Sequence, residues 1–170
     1  MKKIGIFYNF QSHKTKQQVK KIIKLLDEKS VEEVDVNTAT HKDFEKFENY
    51  IFAVPTWFDG ELPYYWDEFL PTIEEDNLKG KKFALFGGGD QVRYPDNFVD
   101  GLGIMAEFIE QRGGEIVGYT SVEGYSFDYS RAQRGDQFVG LAIDIENQAA
   151  LTDQRIEKWV ADVKKAFMGK

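Results

Sequence analysis

Residues 4–16 read IGIFYNFQSHKTK, a short apolar run followed by a polar loop and the start of a lysine-rich segment. The run at residues 4–8 has the length of a buried strand, and Val19, Ile22 and Leu26 then recur at intervals typical of a helix. A loop that leaves a buried strand and opens a helix can hold an anion on the free backbone N–H groups of the first turn. The stretch therefore predicts a strand–loop–helix unit with a phosphate site at residues 9–15, although the loop contains no glycine.

Apolar runs and helical periods alternate along the rest of the chain. This alternation predicts a parallel sheet covered by helices on both faces. We expect Thr152 and Asp153 to cap the last helix, and Gly113 with Gly114 to end the helix before it. The further strands are predicted at residues 31–36, 50–54, 83–86 and 116–119, and the further helices around residues 66–73, 98–109 and 156–167.

Residues 120–137 break this rhythm, because they are polar and rich in turn formers. Residues 138–142, FVGLA, then resemble a strand again. We interpret the segment as a long excursion that interrupts the last strand of the sheet. The whole chain, residues 1–170, is predicted to form one domain, since 42% apolar residues suffice for a single core.

Composition excludes several classes of function. The 22 Lys and Arg against 29 Asp and Glu give a formal charge of 22 − 29 = −7, which disfavours binding to nucleic acid or anionic membranes. The absence of cysteine excludes disulfides and thiolate chemistry, and the presence of just two histidines argues against a histidine metal cluster. The first apolar run is too short for a signal core or a membrane span, so a cytoplasmic protein is expected. We also expect a monomer without a bound metal.

Ligands of open parallel sheets bind beyond the carboxyl ends of the strands. Residues 9–15, 55–62 and 87–97 are the loops predicted to leave those ends. Trp57 and Tyr94 stand in two of these loops and could hold a flat aromatic ring between them. The residues alone leave a second interpretation open, in which both side chains anchor their loops on the body of the protein.

Six segments, in order along nearly the whole chain, resemble the flavodoxins of the long-chain class, especially the cyanobacterial and nitrogen-fixing types. The resemblance implies a flavodoxin-like sheet of five parallel strands in the order 2-1-3-4-5, and an FMN-dependent electron carrier rather than an enzyme. The segments are IGIFY at 4–8, PTWFDGEL at 55–62, FGGGDQ at 86–91, YPDNF at 94–98, FVGLAID at 138–144 and LTDQRI at 151–156.

The resemblance also implies a set of cofactor-binding residues. Trp57 and Tyr94 would enclose the flavin ring, while the Phe58 carbonyl would accept a hydrogen bond from flavin N5 after one-electron reduction. Asn97 and Glu146 would lie near the ring or the ribityl chain. The remaining members of the set are Phe10, Gln11, Ser12, His13, Lys14, Thr15, Pro55, Thr56, Asp59, Gly60, Gly88, Gly89 and Asp90.

The phosphate loop departs from the family pattern Thr/Ser-x-Thr-Gly-x-Thr. Ser12 and Thr15 keep two of its hydroxyl groups, but Phe10 removes one and His13 replaces the glycine. A lost hydrogen bond to a charged group costs about 1.5–3 kcal/mol, so a weakened FMN site is expected. If the family glycine supplies a positive φ, His13 should be strained. Lys14, with His13, is expected to replace the lost contacts by charge.

Charge around the loops bears on the potential and on the partners. Asp59, Glu61, Asp90 and Asp96 should disfavour the added negative charge of a fully reduced flavin, which predicts a low second potential. An acidic edge also suits basic docking faces of redox proteins. The resemblance implies ferredoxin–NADP reductase, photosystem I, or nitrogenase and pyruvate oxidoreductase systems as partners.

Other functions stay possible on these residues. A flavodoxin-like binding module could have lost FMN through Phe10 and His13. A receiver-type signalling domain has the same fold, but Tyr8 and Asn9 stand where an acidic pair is expected. An FMN-dependent quinone reductase would need an open ring face, which two covering aromatic side chains do not leave.

Overall fold

The computed structural model describes residues 2–169. Its main sheet is parallel, and its first five strands follow the order 2-1-3-4-5, which confirms the prediction. The strands are β1 Ile4–Tyr8, β2 Val31–Asp35, β3 Asn49–Ala53, β4 Lys82–Gly88, β5 Glu115–Val117, β6 Thr120–Ser121, β7 Gln133–Arg134, β8 Gln137–Phe138 and β9 Leu141–Ile143. The α-helices are α1 His13–Leu25, α2 His41–Phe44, α3 Tyr64–Phe69, α4 Asp100–Gln111, α5 Ile145–Gln148 and α6 Thr152–Met168.

Two hydrophobic cores lie on opposite faces of the sheet. Alternate residues of β3 point to opposite sides, so Phe52 belongs to one core and Ile51 to the other. The first core packs under α3 and α4, and the second under α1 and α6. The indole N–H of Trp66 in α3 donates to the Ala53 carbonyl at 3.0 Å, and that of Trp159 in α6 donates to the Gly118 carbonyl at 2.9 Å. Each helix layer is thus joined to a strand end or the residue after it.

The last strand position of the sheet is filled by two separate segments. β5 pairs with residues 82–84 of β4, and β9 pairs with residues 86–88 of the same strand. The predicted interruption is therefore correct, but the strand resumes at Leu141 rather than at Phe138. Phe138 instead belongs to β8, which pairs with β6 and β7 in a small antiparallel sheet built within the excursion.

The excursion at residues 120–137 packs closely on α4. Gly103 in α4 has no room for a side chain, because an added Cβ would collide with the Arg131 carbonyl. The Arg131 N–H donates to the buried carboxylate of Asp100 at 2.8 Å. Phe98 contacts Phe127 and Phe138, with ring centroids 5.4 and 5.9 Å away. The excursion therefore contributes to the core.

Several predicted boundaries were wrong by a few residues. Phe98 precedes α4, which begins at Asp100, and β5 ends at Val117. The period of α3 continues as a 3-10 turn over Leu70–Ile73. Thr152 is the first residue of α6 and no side chain caps that helix, because a 3-10 turn at Ala149–Leu151 leads into it. Gly113 ends α4 as predicted, with a φ of 90°.

No helix within residues 2–169 is long and apolar enough to cross a membrane. The same residues hold no group of three or more His, Cys, Asp and Glu side chains that could bind a metal ion.

Adjacent glycines at the end of β4 give a matched test of the packing. A Cβ on Gly87 would overlap the Val54 carbonyl, whereas the nearest atom to a Cβ on Gly88 is the Ile143 carbonyl oxygen at 3.8 Å. We expect Gly87→Ala to lower the free energy of unfolding by about 3 kcal/mol, since backbone must move, and Gly88→Ala to change it by less than about 0.5 kcal/mol. Urea unfolding of the flavin-free protein measures both. Equal effects would contradict the packing argument.

Candidate cofactor site

A cavity of about 610 Å³ opens at the carboxyl edge of the sheet, where the three predicted loops meet. Its size is in the range of small-molecule and cofactor sites. The strand ends and helix starts of β1–α1, β3–α3, β4–α4 and β9–α5 surround it. The lining residues are Asn9, Ser12, Lys14, Thr15, Gln18, Pro55, Thr56, Trp57, Phe58, Tyr65, Gly88, Gly89, Asp90, Arg93, Tyr94, Asn97, Phe98, Val99, Ile143, Ile145 and Glu146.

The first loop ends at a capped helix. Ser12 is the N-cap of α1, and its hydroxyl oxygen accepts a hydrogen bond from the Thr15 N–H at 3.3 Å. The Ser12 and Thr15 hydroxyl groups lie 2.9 Å apart, and both residues line the cavity. Backbone N–H groups of the first turn have no carbonyl partner within the helix, so this end of the cavity can bind an anion.

The two unusual residues of this loop do not line the cavity. The Phe10 ring packs on Tyr8 with centroids 4.8 Å apart. His13 is the first residue of α1, and its Nε2 lies 3.3 Å from Nε2 of Gln17. Among residues 2–169, the non-glycine residues with a positive φ are Phe58 and Val99. The expectation that His13 is strained was therefore wrong, because position 13 has become an ordinary helical residue.

An ion pair joins two walls of the cavity at the same end. The Lys14 Nζ lies 3.0 Å from Oε1 of Glu146, the second residue of α5. Both side chains line the cavity. Lysines farther along α1 lie elsewhere: Lys16 sits over the Phe10 ring, and Lys21 pairs with Asp153 of α6. Lys14 is thus the α1 lysine that faces the anion-binding end.

The second loop is a tight turn closed by backbone hydrogen bonds. The N–H and carbonyl groups of Trp57 and Glu61 bond reciprocally, each at 2.7 Å. Phe58 at the tip has a φ of 51°, and Gly60 has a φ of 94°. A Cβ on Gly60 would lie 2.6 Å from Oδ2 of Asp100, so glycine is required there for space as well as conformation. The positive φ of Phe58 is unfavourable for a residue with a side chain. Burial does not offset this strain, because the Phe58 side chain is 75% exposed.

Trp57 and Tyr94 both line the cavity, on the second and third loops. Trp57 is supported from behind by Tyr64 and Tyr65, whose ring centroids each lie 5.7 Å from its own. Tyr94 is 49% exposed, so its ring is not an anchor buried in the body of the protein. The arrangement favours two aromatic walls over the alternative of two loop anchors.

Hydrogen bonds fix the third loop. The Asp90 carboxylate accepts bonds from the N–H groups of Arg93 and Val92 and from the Asn147 amide. The Arg93 N–H bond, above all, lowers the pKa of Asp90. The buried Gln91 amide donates to Asp144 at 2.7 Å and accepts from the Ser126 N–H. This loop is therefore held by both α5 and the excursion.

Thirteen of the predicted residues line the cavity, and five do not. The five that do not line it are Phe10, Gln11, His13, Asp59 and Gly60. The thirteen are Ser12, Lys14, Thr15, Pro55, Thr56, Trp57, Phe58, Gly88, Gly89, Asp90, Tyr94, Asn97 and Glu146.

The sequence interpretation missed eight lining residues. Gln18 could have been found, because it lies three residues after Thr15 on the same face of α1. Burial raises the pKa of Tyr65 to about 12, so its hydroxyl stays neutral beside the cavity. Tyr65 and the two isoleucines gave no signal, since their spacing is that of core residues. The eight are Asn9, Gln18, Tyr65, Arg93, Phe98, Val99, Ile143 and Ile145.

The cavity fits a flat ring attached to a phosphate. One end offers helix N–H groups, two hydroxyl groups and Lys14, and the other offers Trp57 and Tyr94. Gly88 also lines the cavity, and apart from its two chain neighbours no described residue has an atom closer than 3.8 Å to the Cβ position that it lacks. This glycine leaves room for a ligand rather than for protein packing.

Comparison with protein families and curated sequences gives one consistent result. The family model described as Flavodoxin matches residues 6–159. A flavodoxin of Nostoc sp. is 45% identical over 169 residues, covering 98% of both chains. Flavodoxin 1 of Escherichia coli is 40% identical over 160 residues, covering 94% of this chain and 91% of its own.

Solved structures agree with the sequence relatives. The crystal structure of Fusobacterium nucleatum flavodoxin bound to flavin mononucleotide has a TM-score of 0.91 and 34% identity, covering 98% of this chain and 99% of its own. A point mutant of that protein, also bound to flavin mononucleotide, superposes with the same TM-score of 0.91. Oxidised Flavodoxin 1 of Bacillus cereus shares the fold, with a TM-score of 0.71 at 20% identity, and covers 96% of this chain and 97% of its own.

The strained tip of the second loop can be tested without a ligand. Asparagine tolerates a positive φ better than phenylalanine does, so Phe58→Asn should raise the free energy of unfolding by about 1 kcal/mol. Tyr129→Asn is the control, because it removes another exposed aromatic ring from a position without a positive φ. Thermal unfolding of the flavin-free variants measures both. No gain for Phe58→Asn over the control would argue against stored strain.

Proposed function

The chain belongs to the flavodoxin family and is an electron carrier that uses FMN, and we propose that the cavity between the three loops is its FMN site. Bound FMN supplies the redox chemistry, since its ring takes up and releases electrons one at a time. The carrying observation is the geometry of the cavity, with an anion-binding helix start at one end and two aromatic walls at the other.

At the first end, the backbone N–H groups of the α1 start bind the phosphate, together with the Ser12 and Thr15 hydroxyl groups and Lys14. Phe10 contributes no hydroxyl group, and its ring packs on Tyr8 outside the cavity. His13 contributes its backbone N–H rather than its side chain. The loop therefore relies on main-chain donors and one lysine, which supports a weakened phosphate site rather than an absent one.

At the second end, Trp57 and Tyr94 cover the flavin ring and exclude water from its faces. The backbone at residues 56–58 and 88–90, with Asn97, borders the ring. The Phe58 carbonyl lies in the strained turn and serves as the hydrogen-bond acceptor at the flavin edge. The structure gives this turn rigidity through the reciprocal bonds of Trp57 and Glu61.

The ionised groups near the ring tune the potential in opposite directions. Asp59, Glu61, Asp90 and Asp96 disfavour additional negative charge on the ring and support a low second potential. Arg93 lines the cavity beside Tyr94, and its side chain forms no ion pair within residues 2–169. Its positive charge opposes the carboxylates and moderates their effect.

The rim of the cavity also supports docking on redox partner proteins. Apolar side chains Phe58, Tyr64, Val92 and Tyr94 are exposed on or next to these loops, and Asp59, Glu61 and Asp96 of the same loops are exposed as well. An apolar centre with a charged rim is typical of protein interfaces. We propose partners with basic faces, of the ferredoxin–NADP reductase, photosystem I, nitrogenase or pyruvate oxidoreductase kind. The cytoplasmic location, the monomeric state and the absence of enzyme activity stay predictions.

The alternative of a binding module that has lost FMN has no support. Its premise was that Phe10 and His13 spoil the phosphate loop. In the structure both side chains lie outside the cavity, and α1 begins with a normal cap at Ser12.

Titration of the flavin-free protein with FMN tests the proposed site. Quenching of flavin fluorescence should show one FMN per chain, and Tyr94→Ala should raise the Kd by about tenfold, because one aromatic wall is lost. Tyr129→Ala is the matched control, since Tyr129 is similarly exposed but lies outside the cavity. A protein that takes up no FMN would overturn the proposal, and equal effects of the two variants would remove Tyr94 from the site.

Redox titration tests the role of Arg93. Arg93→Gln should lower the midpoint potential of the second one-electron reduction by roughly 20–40 mV at low ionic strength, the equivalent of about 0.5–1 kcal/mol of lost attraction. The control is Lys165→Gln, which makes the same change of charge near the far end of α6. An unchanged potential in Arg93→Gln would show that this cation does not act on the ring.

A further inference from the structure

The ion pair of Lys14 and Glu146 connects elements that are far apart in sequence. Lys14 is the second residue of α1, and Glu146 is the second residue of α5, after β9. Their charged atoms lie 3.0 Å apart, and both side chains line the cavity. The pair therefore stands where the phosphate of FMN is proposed to bind.

Lys14 and Glu146 are each other's charged partners in this part of the structure. Lys14 makes no second ion pair among the described residues, and Glu146 accepts no other side-chain hydrogen bond there. The neighbouring carboxylates are already engaged, since Asp144 is bonded to Gln91 and Asn147, and Asp90 to Asn147. Arg93 is the other cation that lines the cavity, and it stands beside Tyr94, the aromatic wall at the ring end.

A phosphate dianion at the α1 start changes the balance of this pair. Lys14 is attracted to the phosphate as well as to Glu146, while Glu146 and the phosphate repel each other. We propose that Glu146 competes with the phosphate of FMN for Lys14, and that this carboxylate lowers the preference of the site for FMN over riboflavin. This inference rests on the proposed function.

The competition has a definite sign. Removing the charge of Glu146 releases Lys14 for the phosphate and removes a repulsion, so the affinity for FMN increases. Riboflavin has the same ring and ribityl chain but no phosphate, so its affinity stays the same. Both partners are exposed to solvent, with 66% and 56% of their side-chain surfaces accessible, and the effect is therefore modest and sensitive to salt.

The experiment compares the binding of FMN and of riboflavin by the flavin-free protein and its Glu146→Gln variant. Quenching of flavin fluorescence at low ionic strength measures each affinity. Glutamine keeps the size of the side chain and removes its charge. We expect the Kd for FMN to fall about fivefold and the Kd for riboflavin to stay constant. Added salt should reduce the difference in FMN affinity between the two proteins.

Two further variants make the comparison specific. Lys14→Gln should weaken FMN binding, and in its background Glu146→Gln should gain less affinity than it does alone. Asp153→Asn is the matched control, because Asp153 also pairs with a lysine of α1, Lys21, but both lie outside the cavity. It should leave both flavin affinities unchanged.

The outcomes separate this inference from the proposed function. If the unaltered protein binds FMN and Glu146→Gln leaves its Kd unchanged or raises it, the competition is disproved while the FMN site stands. If FMN and riboflavin affinities change by the same factor, Glu146 acts on the ring or the ribityl chain and not through the phosphate. If the unaltered protein binds neither flavin, the proposed site itself is wrong.

Discussion

Strand β4 pairs with β3 along one edge and with two separate segments, β5 and β9, along the other. This shared edge is the constraint on which the rest of the structure depends. Because β5 occupies only the first half of the edge, the chain must leave the sheet, build the excursion on α4 and return beside the second half. The return brings β9 and α5 to the carboxyl edge of the sheet, where Ile143, Ile145 and Glu146 complete the cavity. A continuous last strand would reach the carboxyl edge of the sheet directly, and the chain would form no excursion on α4.

Close backbone approach at the same edge explains the run of three glycines. Gly87 allows β4 to approach the Val54 carbonyl, and Gly89 makes room for Phe98 and Val99, which precede α4. Gly88, between them, faces the cavity and is required by neither contact. One short segment thus combines two packing requirements with one opening for the ligand. Gly60 meets a similar packing requirement, because the absence of a side chain allows the second loop to lie against Asp100 of α4.

The pattern of apolar runs predicted a parallel sheet, and the family resemblance implied its strand order. The sequence also predicted most of the cavity, because parallel strands bring their carboxyl ends to one edge and the polar loops follow those ends. It could not predict which face of a loop residue meets the cavity. Phe10 and His13 were predicted to lie in the site, and each has turned to a neighbour, Tyr8 or Gln17. Conversely, Tyr65 and Ile143 looked like core residues, since the inner wall of a cavity is built from the same apolar side chains as a core. Arg93 gave no signal in the sequence, because only the folded loop decides whether its side chain lines the cavity.

The changes at positions 10 and 13 leave the start of α1 in place as an anion site. An anion site at a helix start depends mainly on backbone N–H groups, whose directions are fixed by the cap and the first turn. Ser12 still caps α1, so these directions are independent of the side chains at positions 10 and 13. What the side chains change is the share of binding carried by charge. In the proposed FMN site, which has fewer hydroxyl groups, that share falls on Lys14. The proposed influence of its neighbour Glu146 on affinity follows, and a richer set of donors would reduce it. If the cavity is the FMN site as proposed, the loop shifts part of phosphate recognition from fixed hydrogen bonds to an exposed, salt-sensitive ion pair.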